Sequence, residues 1–399
     1  MSAHDSAPAL VPAPLDATLR ELRHELHRHP ELSGAEHRTR DVLRAALGQL
    51  APAASVVTVA GTGLVARVRG RDPSAPVVAL RGDIDALPIH EETGLPFRSE
   101  VPGVMHACGH DVHAAWTVGA AALLAAAPAV GDVLVVLQPA EETGAGAAAV
   151  LASGALDEAR AIFGAHVDRR FAVGQVVADV GPLAASADGF EIELVGRGAH
   201  AARPHEALDP IVGAGQLIVA LQSIVARRLA PADAAVVTIG VVSAGTAPNV
   251  IPERARLAGT LRAVEPRTRE RLRLELRRVA IGVAAAHGLE ARVTLGHGTP
   301  PLVNPPHPTA WARTATTRLL GEHALVPLGT LNLAGEDFAF YLERMPGCFL
   351  RIGAREPGGE TIPAHSPRFY AADESIAVGA AVLAETARIA AAALAAERS

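Results

Sequence analysis

The sequence predicts an α/β protein: a domain on a mostly parallel sheet with helices on both faces, plus an inserted ferredoxin-like α+β domain. Three observations predict it. Short apolar runs at residues 77–80, 133–137 and 161–165 alternate with helical patterns, the rhythm of strands joined by helical crossovers. From about residue 185 the order becomes β-α-β-β-α-β, which is the ferredoxin-like pattern. After Pro300-Pro301 the first rhythm returns and closes in an Ala-rich helix from Asp373. The expected division is a loose tail over residues 1–14, a discontinuous catalytic domain over 15–184 and 300–399, and a lid over 185–299.

In chain order, Leu15, Leu19, Leu22 and Leu26 recur at helical spacing, and Pro30 ends that pattern. Ser33-Gly34-Ala35-Glu36 reads as a capping box opening a second helix, with Val42, Leu43, Ala46 and Leu47 facing inward. The uninterrupted run at 133–137 reads as a buried strand. Pro128, Gly131 and Asp132 split the apolar stretch 114–137 into a helix and a strand, each too short to cross a bilayer, so no membrane role is expected. The insert reads as strand 189–195, helix 210–227, strands 235–242 and 255–264, helix 267–287 and strand 290–295.

With 399 residues, 49% of them hydrophobic and 20% charged, the chain is long enough for two domains with sizeable cores. A formal net charge of −6, without a dense basic cluster carrying aromatics, argues against a nucleic-acid partner. The Arg-rich stretch 267–278 alternates with Glu and Leu, as the solvated face of an amphipathic helix does. Two cysteines exclude a disulfide framework and suit a reducing, cytoplasmic compartment. No basic segment followed by an apolar core opens the sequence, so no signal peptide is expected.

The chemistry concentrates in four segments. Met105-His106-Ala107-Cys108-Gly109-His110-Asp111-Val112-His113 brings a thiol, imidazoles and a carboxylate together. On extended backbone, Cys108 and His110 would leave on the same face. Gln138-Pro139-Ala140-Glu141-Glu142 follows a strand, where open α/β sheets bind ligands. Adjacent side chains diverge there, so one glutamate can hold a metal while the other takes a proton from activated water. A third apolar run ends at His166, and His365 lies between Pro363 and Pro367 in a stiff loop. Sulfur, nitrogen and oxygen donors together suit zinc, manganese, cobalt or nickel better than calcium or magnesium. A Cys108–His110 nucleophilic pair is disfavoured, because no Asn or Asp orienter for the histidine is evident.

The chain resembles the amidohydrolase branch of the aminoacylase/carboxypeptidase G metallopeptidase superfamily, which includes hippurate and indole-acetyl-amino-acid hydrolases. The resemblance rests on His29 through Ser33, Arg81-Gly82-Asp83-Ile84-Asp85-Ala86-Leu87-Pro88, Met105 through His113 and Gln138 through Glu142. It continues through Gly198-Ala199-His200-Ala201-Ala202-Arg203-Pro204-His205, Asn249-Val250-Ile251-Pro252, Gly335-Glu336-Asp337-Phe338 and His365-Ser366-Pro367. These motifs run in family order from about residue 20 to the last helix.

The resemblance implies that Cys108, His110, Glu142, His166 and His365 bind two divalent metal ions per subunit, with Glu141 as general base. It implies that Asp85 orients a ligand from behind, Asp83 being the alternative for that role. It implies that His200 steadies the oxyanion, in many relatives from a partner subunit's lid. Asn249 and Arg262 would bind the substrate's carboxylate or carbonyl. Two departures stand near the site: Ala199 replaces the family's usual second glycine, and Val167-Asp168-Arg169-Arg170-Phe171 lacks the usual proline.

The expected activity is hydrolysis of the amide of a small N-acyl or N-aroyl amino acid, releasing a carboxylic acid and a free amino acid. The expected assembly is a homodimer or homotetramer through the lid. The alternatives are a dipeptidase or carboxypeptidase with the same site, and a metal-dependent binding protein without turnover.

Overall fold

Strand Val133–Gln138 runs parallel to strand Val77–Asp83, with Val133 opposite Val78 and Gln138 opposite Asp83. The chain leading to the two glutamates therefore ends beside the chain leading to Asp85. In the computed structural model, which describes residues 9–331 and 333–397, both strands lie inside a seven-stranded sheet. Its order is Ser55–Val59, Gly63–Val68, Val133–Gln138, Val77–Asp83, Ala159–Ala172, Gly347–Arg355 and Val176–Val177.

The sequence predicts a mostly parallel sheet, but the observed one is mixed. The three central pairings are parallel. Those toward both edges are antiparallel. The difference arises largely at the edge hairpin Ser55–Val59/Gly63–Val68, which turns through Ala60 and Gly61 at φ of 47° and 79°. An edge strand buries little, so Ser55–Val59 lacks the apolar run of a central strand.

One set of strand side chains, including Leu64, Val78, Leu80, Val135, Leu137, Phe163 and Leu350, joins a single core with the long helices. Those helices are Ala13–Arg28, His37–Leu50, His110–Ala126, Pro306–Leu320 and Glu374–Ala396. The alternate set, among them Ala79, Leu134, Val136, Ile162 and Phe349, is buried as well, so the sheet is covered on both faces. Helix Glu374–Ala396 is long and apolar enough to cross a membrane by composition, yet it is a core helix. A Cβ on its Gly379 would lie 2.3 Å from the Trp116 ring, so glycine is what lets it approach helix His110–Ala126.

Two local expectations are corrected. Ser33 and Glu36 do not form a capping box. The Ser33 hydroxyl donates to Asp85 at 2.6 Å, and the buried Glu36 carboxylate accepts from Gly34 N, Ala140 N and the Thr62 hydroxyl. The first turn of helix His37–Leu50 is satisfied instead by Glu31, which accepts from Arg38 N and Thr39 N at 3.2 and 2.7 Å. The first helix begins at Ala13, and Val11 is already buried, so a loose segment extending to residue 14 is not observed. Residues 1–8 of the expected tail lie outside the described residues.

The chain divides into two units: Met1–Gly181, Asn304–Gly329 and Phe340–Ser399 in one, Pro182–Val303 and Thr330–Ala339 in the other. The second thus also takes in residues 330–339. It runs β-α-β-β-α-β through Asp188–Val195, Pro210–Arg228, Ala235–Ala244, Arg254–Ala263, Pro266–Ala286 and Glu290–Leu295, with a short strand Val250–Ile251 between the third and fourth of these. Its four main strands form an antiparallel sheet in the order Ala235–Ala244, Arg254–Ala263, Asp188–Val195, Glu290–Leu295. Both helices pack on it around Ile192, Leu194, Leu217, Leu221, Leu257, Leu272 and Leu276. Asp209 caps the first of them, accepting from Ile211 N at 2.8 Å.

Candidate metal centre

The backbone between Cys108 and His110 is not extended. Gly109 has φ of 93° and forms the N-cap of helix His110–Ala126. A Cβ there would lie 2.4 Å from Val167 Cγ2 as well as being strained, so glycine is required on both counts. The left-handed step turns the Cys108 thiol toward His166, with Sγ 3.2 Å from Nε2. His166 itself lies inside strand Ala159–Ala172 rather than at its end, because pairing with Gly347–Arg355 continues past it, Arg351 standing opposite.

Hydrogen bonds fix which nitrogen each imidazole can offer. His166 donates Nδ1–H to the Val167 carbonyl at 2.7 Å, leaving Nε2 as a lone pair beside Cys108. His110 Nδ1 lies 2.9 Å from the Asp85 carbonyl and 3.2 Å from its carboxylate, so Nδ1 donates and Nε2 is the open atom. That Nε2 is buried without a hydrogen-bond partner. His113 is the opposite case. Val167 N donates to its Nε2 at 2.9 Å and its Nδ1 donates to Asp83 at 2.6 Å, so both nitrogens are used and neither is left for a metal.

The glutamates reach the same place from the loop after strand Val133–Gln138. Asp85 accepts from Glu142 N at 3.0 Å, and Glu36 accepts from Ala140 N at 2.9 Å. Glu142 Oε1 is 3.8 Å from His110 Nε2 and 3.4 Å from His365 Nε2, and it too is buried without a hydrogen-bond partner. Glu141 Oε2 is 3.9 Å from His110 Nε2. Ala140 and His365, both bearing a Cβ, hold φ of 54° and 66°. Such residues are uncommon and collect where function constrains the backbone.

Cys108, His110 and His166 present donor atoms within 4.8 Å of one another, and so do Cys108, Glu142 and His365. Two three-donor groups thus share one thiol. His110, Glu141 and Glu142 form a further group of the same size. Burial pushes the Cys108 thiol up, and the nearby Glu142 and Glu141 carboxylates add to that. A thiolate there needs a cation. Burial also lowers His166, with the charge of His113 acting in the same direction, so it is neutral and able to donate a lone pair. His110 behaves differently: burial opposes its protonation, but Asp83, Asp85 and Cys108 raise it well above the usual range. Orphaned Nε2 and Oε1 atoms in a partly buried ring of sulfur, nitrogen and oxygen donors fit soft-to-borderline divalent metals.

Asp83 and Arg81 were less legible. Asp83 is fully buried, paired with Arg81, and burial is outweighed by Arg81, His110 and His113, which hold its carboxyl well below the usual range. It braces His113 and faces His110 Nε2 at 3.8 Å, while Asp85 takes the Nδ1 side. Ser33 and Glu36 have the spacing of a helix signal, but their contacts with Asp85 and Ala140 make them supports of the site. The spacing Arg81-x-Asp83-x-Asp85 at a strand end was the available signal.

His200, Asn249 and Arg262 lie in the second unit. His200 is exposed in the short strand Ala199–His200, opposite Val250, and its Nδ1 accepts from Ala202 N at 3.1 Å. Ala201 N donates to the Asn249 carbonyl at 3.0 Å, which brings the Asn249 backbone next to His200. Arg262, on strand Arg254–Ala263, donates to the Leu333 carbonyl at 2.9 Å.

Known proteins share this arrangement of chain. Residues 79–389 match the peptidase family M20/M25/M40. An N-acetylcysteine deacetylase of Bacillus subtilis is 41% identical over 372 residues, covering 92% of this chain and 95% of the relative. An N-acetyl-L-cysteine deacetylase of the same organism is 41% identical over 345 residues, 85% of this chain and 81% of the relative. The solved structure of the Bacillus subtilis YXEP protein, a dinuclear metal-binding peptidase of the M20 family, superposes with a TM-score of 0.84 at 38% identity, covering 95% of this chain and 99% of that one. A putative aminohydrolase from methicillin-resistant Staphylococcus aureus gives 0.88 at 31% identity, covering 93% of this chain and 96% of that one. The chain is therefore a metal-dependent hydrolase and belongs to the peptidase family M20/M25/M40.

Proposed function

We propose that this hydrolase cleaves the amide bond of N-acyl or N-aroyl amino acids, releasing a carboxylic acid and a free amino acid. The observation that carries the reading is the orphaned pair His110 Nε2 and Glu142 Oε1, 3.8 Å apart, with the Glu141 carboxylate beside them. Cys108, His110, Glu142, His166 and His365 are the residues that would hold two divalent ions, of zinc, manganese, cobalt or nickel. Such ions, when bound, lower the pKa of water and polarise a carbonyl.

Glu141 takes the proton of the attacking water and returns it to the leaving nitrogen. Asp85 keeps the His110 ring turned so that Nε2 faces the site. His200 stabilises the developing oxyanion, from its own chain or from a second copy. Arg262 and Asn249 receive the substrate's carboxylate or carbonyl, Arg because its planar fork gives two parallel hydrogen bonds. The second unit serves as lid and as the surface of a homodimer or homotetramer. In support, Ile211, Val212, Val219, Val241 and Val242 expose apolar area on its first helix and its edge strand Ala235–Ala244. The two free thiols, Cys108 and Cys348, suit a cytoplasmic setting in which they stay reduced.

The names of the Bacillus subtilis relatives favour a short acyl group such as acetyl. A relative named thermostable carboxypeptidase 1, from Saccharolobus solfataricus, is 32% identical over 366 residues and keeps the peptide-bond reading as the second one. A release assay with the metal-loaded protein across N-acetyl amino acids including N-acetylcysteine, hippurate, indole-acetyl conjugates and dipeptides separates them. Turnover confined to dipeptides would replace the proposal. Binding without turnover of every substrate would overturn the hydrolytic assignment of Glu141.

A further inference from the structure

Among the proposed ligands, His365 stands apart. Its side chain is 53% exposed, so burial does little to hold it, and its backbone sits at φ of 66°. The loop that carries it must be fixed from elsewhere. His365 N donates to Ala107 O and Glu92 N donates to Pro367 O, both at 2.8 Å. The larger anchor is one buried side chain on strand Ala159–Ala172. Arg169 donates from Nε and Nη2 to Glu360 O at 3.1 and 2.8 Å, and from Nη1 to Ala354 O and Tyr370 O at 3.2 and 3.1 Å. Its two Nη atoms also reach the Glu356 carboxylate at 2.9 and 3.3 Å. The Tyr370 ring lies 4.1 Å from the guanidinium carbon, and the Tyr370 hydroxyl donates to Glu356.

These acceptors fall on both sides of His365 in sequence: Ala354, Glu356 and Glu360 before it, Tyr370 after it. A single guanidinium therefore closes the stem of the loop 354–370, satisfying three carbonyls and a carboxylate at once. Arg169 touches none of the proposed donor atoms. We infer that Arg169 is a positioning residue that, by closing this stem, sets His365 against Glu142 and so governs one of the two ion positions and not the other. The inference rests on the metal reading above. His365 belongs with Cys108 and Glu142, whereas Cys108, His110 and His166 form a donor group without it. A planar fork with this many in-plane donors is what the stem uses, and neither lysine nor methionine supplies it.

The test is a titration of metal-free protein with zinc or cobalt(II), followed by calorimetry and elemental analysis, with backbone hydrogen exchange measured in parallel. The wild-type protein is expected to take two ions. Arg169→Met is expected to keep one at wild-type affinity and to bind the second ~10–100-fold more weakly, the range seen when outer supports of ligands are removed. Exchange over residues 354–370 should rise while that over 108–113 stays unchanged, and Arg169→Lys should recover part of both effects. If Arg169→Met fails to fold, Glu356→Gln tests the same clasp from its partly exposed side, with the same selective loss in smaller degree. Two ions at wild-type affinity in Arg169→Met, or equal weakening of both, would overturn the inference. If the wild-type protein binds no ion, the metal reading itself fails. In that event, unchanged exchange over 354–370 in Arg169→Met would show separately that Arg169 does not hold the loop.

Discussion

His110 and Asp85 are joined twice: Nδ1 of the imidazole lies 2.9 Å from the Asp85 carbonyl and 3.2 Å from its carboxylate. The same carboxylate accepts from Glu142 N at 3.0 Å and from the Ser33 hydroxyl at 2.6 Å. Asp85 thus steers two of the proposed ligands from behind. Asp85→Ala should lower metal affinity ~10–100-fold in a folded protein. Competition against a chelator of known affinity measures this, and an unchanged affinity would remove Asp85 from the support of the site.

Glu141→Gln keeps the size and hydrogen-bonding ability of the side chain but removes its capacity to accept a proton. Turnover should fall ~10²–10⁴-fold, the usual contribution of a positioned base, while metal content stays at the wild-type level. Retained turnover in a metal-replete variant would assign the proton to another group.

The candidate donors stand out in the sequence by residue type and local context, Cys108 and His110 in one short segment, Glu142 after an apolar run and His365 between prolines, and the structure brings their donor atoms into groups within 4.8 Å. What was not legible depends on partners distant in sequence. Ser33 and Glu36 have the spacing of a helix cap, and only the fold shows that Asp85, Ala140 and Thr62 claim them first. Gly109 takes a left-handed step in place of an extended one, and Val167, distant in sequence, packs where a Cβ would go. The sequence predicts a mostly parallel sheet because its central strands carry the strong apolar runs, while the edge strand Ser55–Val59 buries too little to stand out. Arg169, in the segment that departs from the family's usual proline, gave no signal of the six hydrogen bonds it makes.

Chelation should abolish turnover, and added divalent metal should restore it. Cys108→Ala, Glu142→Ala and His365→Ala should each lower metal content and activity together. Elemental analysis of the chelated protein decides the point, because a metal-free sample with full activity would end the metal reading.

The stem of the His365 loop carries a pH dependence of defined sign. Burial raises the Glu356 carboxyl, but hydrogen bonds from Arg169 and Tyr370 outweigh it and hold the group at about 2, against an ordinary 4.5. A depressed folded value means the stabilisation is complete above pH ~4.5 and is lost as pH falls toward ~2. In metal-free protein, the difference in Tm between wild type and Glu356→Gln should therefore be constant above pH ~4.5 and shrink below it. A difference that does not change with pH would mean that Glu356 is not held ionised by the clasp.

If His200 acts on the developing oxyanion, His200→Ala should cut kcat ~10²-fold or more and raise KM far less, since the contact strengthens only as charge develops. Its placement is suitable for such a role, exposed on a short strand with Nδ1 accepting from Ala202 N, which leaves Nε2 as the outward donor. Whether it serves its own chain or a second copy is decided by mixing. His200→Ala and Glu141→Gln protomers are each expected to be inactive. In a mixed dimer working in trans, the intact His200 of one chain meets the intact Glu141 of the other, so one of the two sites is complete and part of the activity returns. Subunit exchange has to be shown separately, for example by mass measurement of differently tagged chains. Exchange without recovered activity would place His200 in cis, and a His200→Ala protein with undiminished kcat would remove it from catalysis altogether.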